Sequence, residues 1–249
     1  MKQSKVYTYG KHALVEALAH APHSVLKVFA EPKALDKELR ATIERAGVAV
    51  APLSQGVSRA DLKSGASHQG VVGQISLFNL LRPYQKFIET LSAAPSTSLV
   101  LLAGLEDPHN VGAIIRSAAG FGAAGVLMPE HGQAPVTGTV LKVSAGMAFR
   151  VPLVAVADLQ HTISDLKKHG FKVYGLAGEG VRSIAEEAFE GPAVFVLGNE
   201  AEGLPKHIRE LCDIVLSISM HPRCESLNVA AAAAATLFAW STKHPEALS

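Results

Sequence analysis

The chain has 249 residues, 48% hydrophobic and 18% charged, with 21 glycines, 13 prolines and a formal net charge of +1. That length holds one large or two modest domains with buried cores, and the composition excludes collagen-like, low-complexity and broadly disordered chains. Cys212 and Cys224 are too few for a disulfide framework and form no C-x-x-C pair, which favours a reducing, cytoplasmic setting. The first residues lack the marks of a signal or transit peptide, and the most apolar stretch, 229–240, is shorter than the ~20 residues that span a bilayer; no membrane role is expected. Charge is uneven: residues 1–80 carry ten Lys and Arg against six acids, and residues 98–249 carry 11 against 15. A basic front joined to an acidic back suits a polyanion-gripping domain followed by a catalytic one.

In chain order, residues 9–19 and 32–46 have helical spacing of apolar positions, the second run closing at Gly47. The short apolar runs 25–29, 48–51 and 71–75 read as strands, so residues 1–76 form a small α/β domain. Residues 77–97 are polar, end in Ala-Ala-Pro-Ser-Thr-Ser and read as a linker with a short helix after Pro83. Residues 98–249 then alternate regularly: strands at 99–103, 125–128, 151–156, 172–176, 193–197 and 214–218. The helices fall at 110–121, 138–145, 159–169, about 206–211 and 227–240. Such alternation predicts a mostly parallel sheet covered on both faces, with ligands beyond the carboxyl ends of its strands. The informative loops are therefore those after Ala103, Leu176, Leu197 and Ile218.

Gly120, Gly122 and Gly125 match G-x-G-x-x-G, but a helix precedes them and a strand follows, the reverse of a dinucleotide-binding turn. No P-loop or H-E-x-x-H is present, and His221 with Cys224 lacks the second ligand pair of a zinc site, so no metal is expected. In the first loop Asn110 is placed to cap the next helix. Arg116, inside that apolar helix, needs an anionic partner, either a structural carboxylate or a bound phosphate. The second loop sets Glu200 between Gly198 and Gly203, which reads either as a tight turn with solvated acids or as close backbone approach to a ligand. In the third, Ser226 is a candidate cap for a helix opening with six alanines, 230–235, that permit close packing. Each feature has a structural reading by itself; three of them at the strand ends of one domain point to a ligand site.

These residues resemble the SpoU/TrmH-type RNA 2′-O-ribose methyltransferases of the SPOUT class. The first family motif is similar to the segment from Asn110 through Gly112 and Arg116, the second to Leu197-Gly198-Asn199-Glu200 with Gly203-Leu204, and the third to Ser226-Leu227-Asn228-Val229-Ala230. Tyr9-Gly10-Lys11-His12-Ala13 and His68-Gln69-Gly70-Val71 resemble the subgroup with an N-terminal, ribosomal-protein-like substrate-binding domain. That subgroup includes the enzyme that methylates a guanosine ribose in bacterial large-subunit rRNA. The resemblance implies a small α/β domain followed by an α/β knot domain, S-adenosylmethionine as cofactor, RNA as substrate and a homodimer through the catalytic domain. The implied division is 1–76 for RNA binding, 77–97 for the linker and 98–249 for catalysis. Carried over by position, Gly198, Ile218 and Leu227 hold the cofactor, and Asn110, Arg116, Glu200, Ser226 and Asn228 form the catalytic group. Where relatives often have a glycine before the third motif, this chain has Met220-His221-Pro222-Arg223-Cys224.

A guanidinium rarely gives up its proton, so the expected role of Arg116 is to hold a phosphate and stabilise developing alkoxide charge. Asn110 and Ser226 orient the ribose, and Glu200 accepts a hydrogen bond or the proton. In the front domain Lys11, His12, Arg59 and Lys63 are the expected RNA backbone contacts. Aromatic residues are scarce there, which favours recognition of a folded loop over base stacking. A tRNA ribose methyltransferase, a catalytically silent RNA-binding or ribosome-assembly factor on the same fold, and a nucleotide-dependent metabolic enzyme are the alternatives.

Overall fold

The computed structural model describes residues 5–55, 69–199 and 201–249; Arg59, Lys63 and Glu200, all expected functional residues, lie outside the described residues. In chain order the elements begin with β1 (Lys5–Tyr9), α1 (Lys11–His20), β2 (Val25–Ala30), α2 (Lys37–Ala46), β3 (Val50–Pro52), β4 (Val71–Ser76), α3 (Leu77–Leu80), β5 (Leu81–Pro83) and α4 (Tyr84–Ile88). They continue with β6 (Ser98–Ala103), α5 (Pro108–Gly120), β7 (Gly125–Pro129), α6 (Gly138–Val143), β8 (Leu153–Val156), α7 (Leu159–Lys168) and β9 (Lys172–Leu176). The last are β10 (Arg182–Ser183), β11 (Ala193–Gly198), α8 (Lys206–Arg209), β12 (Ile214–Ser217) and α9 (Val229–Ser241). The chain divides into two compact units, Met1–Leu81 with Val136–Arg150, and Arg82–Pro135 with Val151–Ser249.

The first unit has a four-stranded sheet in the order β1-β4-β2-β3, antiparallel except for β2 beside β3. The helix expected over 9–19 instead starts at Lys11, because the preceding residues form β1 and pair with β4 from Lys5↔Ser76 to Tyr9↔Val72. The helix expected over 32–46 also starts late: Pro32–Ala34 is a single 3-10 turn, and α2 begins after Asp36, whose side chain accepts from Leu39 N. Val136–Arg150, from the regular back half of the sequence, packs within this unit. There Arg150 donates to both carboxylate oxygens of Glu16, itself only 8% exposed.

The second unit contains an eight-stranded sheet ordered β10-β12-β9-β11-β6-β7-β8-β5, with parallel pairing from β10 through β8. Fully buried strand residues such as Leu99, Leu101, Leu127, Val173 and Val196 form its core, as continuous apolar runs in a sheet covered on both faces should. Gly120 ends α5 and Gly125 opens β7, so the glycine trio does sit between a helix and a strand in that order.

Candidate active site

Because the strands run parallel, the segments after β6, β9, β11 and β12 emerge on one edge of the sheet and surround a cavity of about 780 Å³. These are the four loops that the alternation of elements singled out. Asn110, Gly198, Ile218, Ser226, Leu227 and Asn228 all line the cavity, so six expected site residues meet in one place. Arg116 does not line it.

The first loop corrects an expectation from the sequence. The cap of α5 is Asp107, whose Oδ1 accepts from His109 N at 2.8 Å, and Pro108 takes the first helical position, where its missing N–H costs nothing. Asn110 thus lies inside the first turn, 9% exposed, and lines the cavity. Arg116 corrects a second: two turns further along α5 it is exposed rather than enclosed by apolar neighbours, and it makes no ion pair among the described residues.

At the end of β11 the chain folds back on itself. Asn199 and Gly203 exchange backbone hydrogen bonds, each 2.9 Å long. A Cβ on Gly198 would stand 2.3 Å from the carbonyl of Gly203, so only glycine fits beneath this turn. Asn199 is a residue that the sequence reading left without a role. Its Oδ1 accepts from Ala201 N and Glu202 N, while its Nδ2 donates to Gly104 O at 2.9 Å. One side chain therefore shapes the second loop and ties it to the first.

The third loop repeats this arrangement and brings a further correction. The cap of α9 is Asn228, not Ser226: Asn228 Oδ1 accepts from Ala230 N at 2.9 Å and Ala231 N at 3.4 Å. Its Nδ2 donates to Asn110 Oδ1 at 2.9 Å. With α9 capped two residues later, Ser226 and Leu227 remain in the loop along the cavity wall. Upstream, His221 organises the glycine-free segment by accepting from Arg223 N on Nδ1 and from Cys224 N on its carbonyl.

The lining has a distinct chemistry. Leu176, Leu197, Leu216, Ile218, Met220 and Val229 supply apolar walls suited to a flat heterocycle. Four carboxylates, Glu106, Asp107, Glu202 and Glu225, also face it, and no lysine, arginine or histidine does so among the described residues. Such a wall disfavours a polyphosphate and favours a ligand with net positive charge. A nucleoside carrying a sulfonium and an ammonium group fits this donor set; a nucleoside triphosphate or dinucleotide does not.

In the first unit, Lys11 Nζ is engaged by Asp36, the cap of α2, with Glu38 at 4.0 Å, and His12 is exposed.

Comparison with known proteins agrees with this geometry. The model of the SpoU rRNA Methylase family matches residues 97–238, and that of RNA 2′-O ribose methyltransferase substrate binding matches residues 7–81. A 23S rRNA (guanosine-2′-O-)-methyltransferase RlmB from Haemophilus influenzae is 35% identical over 237 residues, covering 92% of this chain and 94% of that one. The RlmB of Ralstonia nicotianae is 33% identical, covering 96% of this chain and 95% of its own. Among solved structures, the SpoU methyltransferase AviRb from Streptomyces viridochromogenes, in complex with AdoMet, superposes with a TM-score of 0.82 at 22% identity over 97% of this chain and 91% of that one. The fold is therefore the α/β SPOUT class of the SpoU methyltransferases. With one family model spanning more than half of its length and curated relatives matching nearly all of it, the chain belongs to the SpoU rRNA methylase family.

Proposed function

We propose that this chain is an S-adenosylmethionine-dependent RNA methyltransferase that modifies the ribose 2′-hydroxyl of a guanosine in large-subunit rRNA. The observation that carries this reading is the acid-rimmed, apolar cavity in which residues of all three family motifs converge. It is supported by the match, over nine-tenths of the chain, to relatives named for that activity. When bound, S-adenosylmethionine supplies an activated methyl group, which leaves its sulfonium for the ribose oxygen as the hydroxyl proton is released.

The residues of the chain then have two tasks, alignment and charge stabilisation. Gly198, Ile218 and Leu227 would hold the cofactor, with Leu176, Leu216 and Met220 lining the same cavity and the rim carboxylates favouring a positively charged ligand. Asn110 and Ser226 orient the ribose, and Glu200 accepts a hydrogen bond or the proton. Arg116, exposed and without an ion pair among the described residues, offers a planar fork of donors to the target phosphate.

The front part, residues 1–76, grips RNA through Lys11, His12, Arg59 and Lys63, residues 77–97 connect, and residues 98–249 catalyse. The enzyme acts in the cytoplasm as a homodimer whose second copy covers α9. That helix is apolar on every side yet leaves Phe238 57% exposed, packed edge-to-face on Phe121 at 6.0 Å.

The test is transfer of labelled methyl from S-adenosylmethionine to unmodified transcripts of rRNA and, separately, of tRNA. Label in a ribose of the rRNA supports the reading. Label in tRNA alone supports a tRNA enzyme, and failure to bind S-adenosylmethionine by calorimetry supports the silent RNA-binding factor.

A further inference from the structure

A buried carboxylate of the second unit stands outside the group of residues assigned to catalysis. Glu187, 3% exposed, accepts from Arg182 Nη1 at 2.7 Å, from the Tyr174 hydroxyl at 2.9 Å and from Lys172 Nζ at 3.3 Å. Burial alone would raise its pKa, but these donors, Arg182 foremost, hold it below the usual carboxylate range, so the group is an anion at neutral pH. Lys172 and Tyr174 belong to β9 and fix the carboxylate to the sheet. Arg182 belongs to the stretch of chain that leaves β9 and lines the cavity with Ala177 and Gly178.

That stretch lies along β12 as a strap. Ala177 N donates to Leu216 O at 3.1 Å, Arg182 and Ser183 pair with Leu216 and Ser217, and Ile184 N donates to Ser217 O at 2.9 Å. Gly180 crosses so closely that a Cβ there would stand 2.4 Å from the carbonyl carbon of Leu216. Leu216 and Ile218 line the cavity too, so the strap joins two of its walls. A ladder of two residues opens readily by local fluctuation unless side chains secure it. The pair of Arg182 with Glu187 secures one end of the strap, and that of Glu179 with Arg209 secures the turn before it. We propose that Arg182 and Glu187 are positioning residues that clasp residues 177–184 against β12, and thereby keep the two walls at the spacing that S-adenosylmethionine needs. The inference rests on the assignment of this cavity to that cofactor.

Arg182→Gln is the decisive variant. Glu187 keeps Tyr174 and Lys172 as donors, so the buried charge is not stranded, and the Arg182 side chain is itself half exposed, so the fold is retained. In the ligand-free protein the amides of Ala177 and Ile184 should exchange hydrogen about tenfold faster or more, while those of β11 keep the parental rate. The Kd for S-adenosylmethionine, measured by calorimetry, should rise about tenfold and appear in stopped flow as faster dissociation. At saturating cofactor kcat should stay within about twofold of the parent. Arg182→Lys, which keeps the charge, should restore most of the affinity.

Tyr84→Phe supplies the comparison. It removes a 2.8 Å hydrogen bond to Asp165 elsewhere in the same unit, so it should lower the melting temperature and leave the cofactor Kd at the parental value. Parental exchange at Ala177 and Ile184 in Arg182→Gln, or faster exchange there with an unchanged Kd, overturns the positioning role. So does a Kd that rises equally in Tyr84→Phe, because any loss of stability would then account for it. Faster exchange in Arg182→Gln together with a parent that does not bind S-adenosylmethionine overturns the assignment of the cavity instead, the clasp having been shown without ligand.

Discussion

Arg150 grips Glu16 with two parallel donors, Nε to Oε2 at 2.5 Å and Nη2 to Oε1 at 3.0 Å, joining residues 134 positions apart. The carboxylate is buried beneath this fork, close to His20, and the hydrogen bond from Arg150 holds its pKa below the usual carboxylate range against the opposing effect of burial. Because the folded state binds this proton less readily than the unfolded chain, the stabilisation is complete above the ordinary glutamate pKa. It is lost as pH falls below that value. Glu16→Gln should therefore destabilise the first unit by about 1–3 kcal/mol near neutrality, as for a hydrogen bond to a charged group. In urea titrations the gap between variant and parent should close below about pH 4; a gap independent of pH would contradict the ion pair.

Gly198→Ala tests the turn that closes the second loop. The added methyl group would lie 2.3 to 2.4 Å from the backbone of Gly203 and Leu204, and backbone cannot yield as the tip of a flexible side chain can. We expect affinity for S-adenosylmethionine to fall at least tenfold by calorimetry. Gly191→Ala, where a Cβ meets nothing within 4 Å, should bind as the parent does.

Arg116→Ala should separate binding from chemistry. The side chain is exposed, has no ion pair among the described residues and stands away from the cavity lining. Stability and cofactor affinity should therefore be unchanged while methyl transfer falls by 10²-fold or more, the scale on which a fixed charge at a reacting centre acts. Loss of cofactor affinity in this variant would place the arginine in a different role.

Phe238→Glu addresses the apolar helix. If a second copy covers α9, a charge at this 57% exposed position should convert the dimer to a monomer in light scattering while leaving the melting of the isolated fold nearly unchanged. A parent that is already monomeric at micromolar concentration would remove the proposed dimer.

The two cysteines should react very differently. Burial, with Asp213 adding to it against Lys167 and Arg209, pushes the Cys212 thiol up to about 11, whereas Cys224 is exposed. At pH 8 a thiol reagent should titrate one equivalent rapidly and the second only after denaturation, with the rapid equivalent lost in Cys224→Ser.

Much of the second unit was legible in the sequence because its strands are continuous apolar runs separated by amphipathic helices, a pattern set by neighbouring residues. β1 was not, since Lys5–Tyr9 alternates only weakly and is held by β4, more than 60 residues away. The helix starts show a subtler limit. Asp107 and Asn110 both suit the start of α5, as Ser226 and Asn228 suit that of α9, and spacing alone does not choose between them. The choice follows from partners distant in sequence: with Asn228 as the cap, its side-chain amide reaches Asn110, 118 residues upstream. The part played by Asn199 was hidden for the same reason, because its acceptor on Gly104 lies 95 residues upstream.

The position of β11 between β6 and β9 has a further consequence during synthesis. β6 pairs with β11 from Ser98↔Ala193 to Ala103↔Gly198, so one edge of that buried strand has no neighbour until the ribosome has added 95 more residues. At elongation rates of about 5–20 residues per second this lasts about 5 to 20 seconds. Throughout that interval the nascent polypeptide presents an open, apolar strand edge of the kind that aggregates or is captured by a chaperone. An enzyme that modifies ribosomal RNA would thus depend, for its own safe maturation, on how quickly a ribosome completes it.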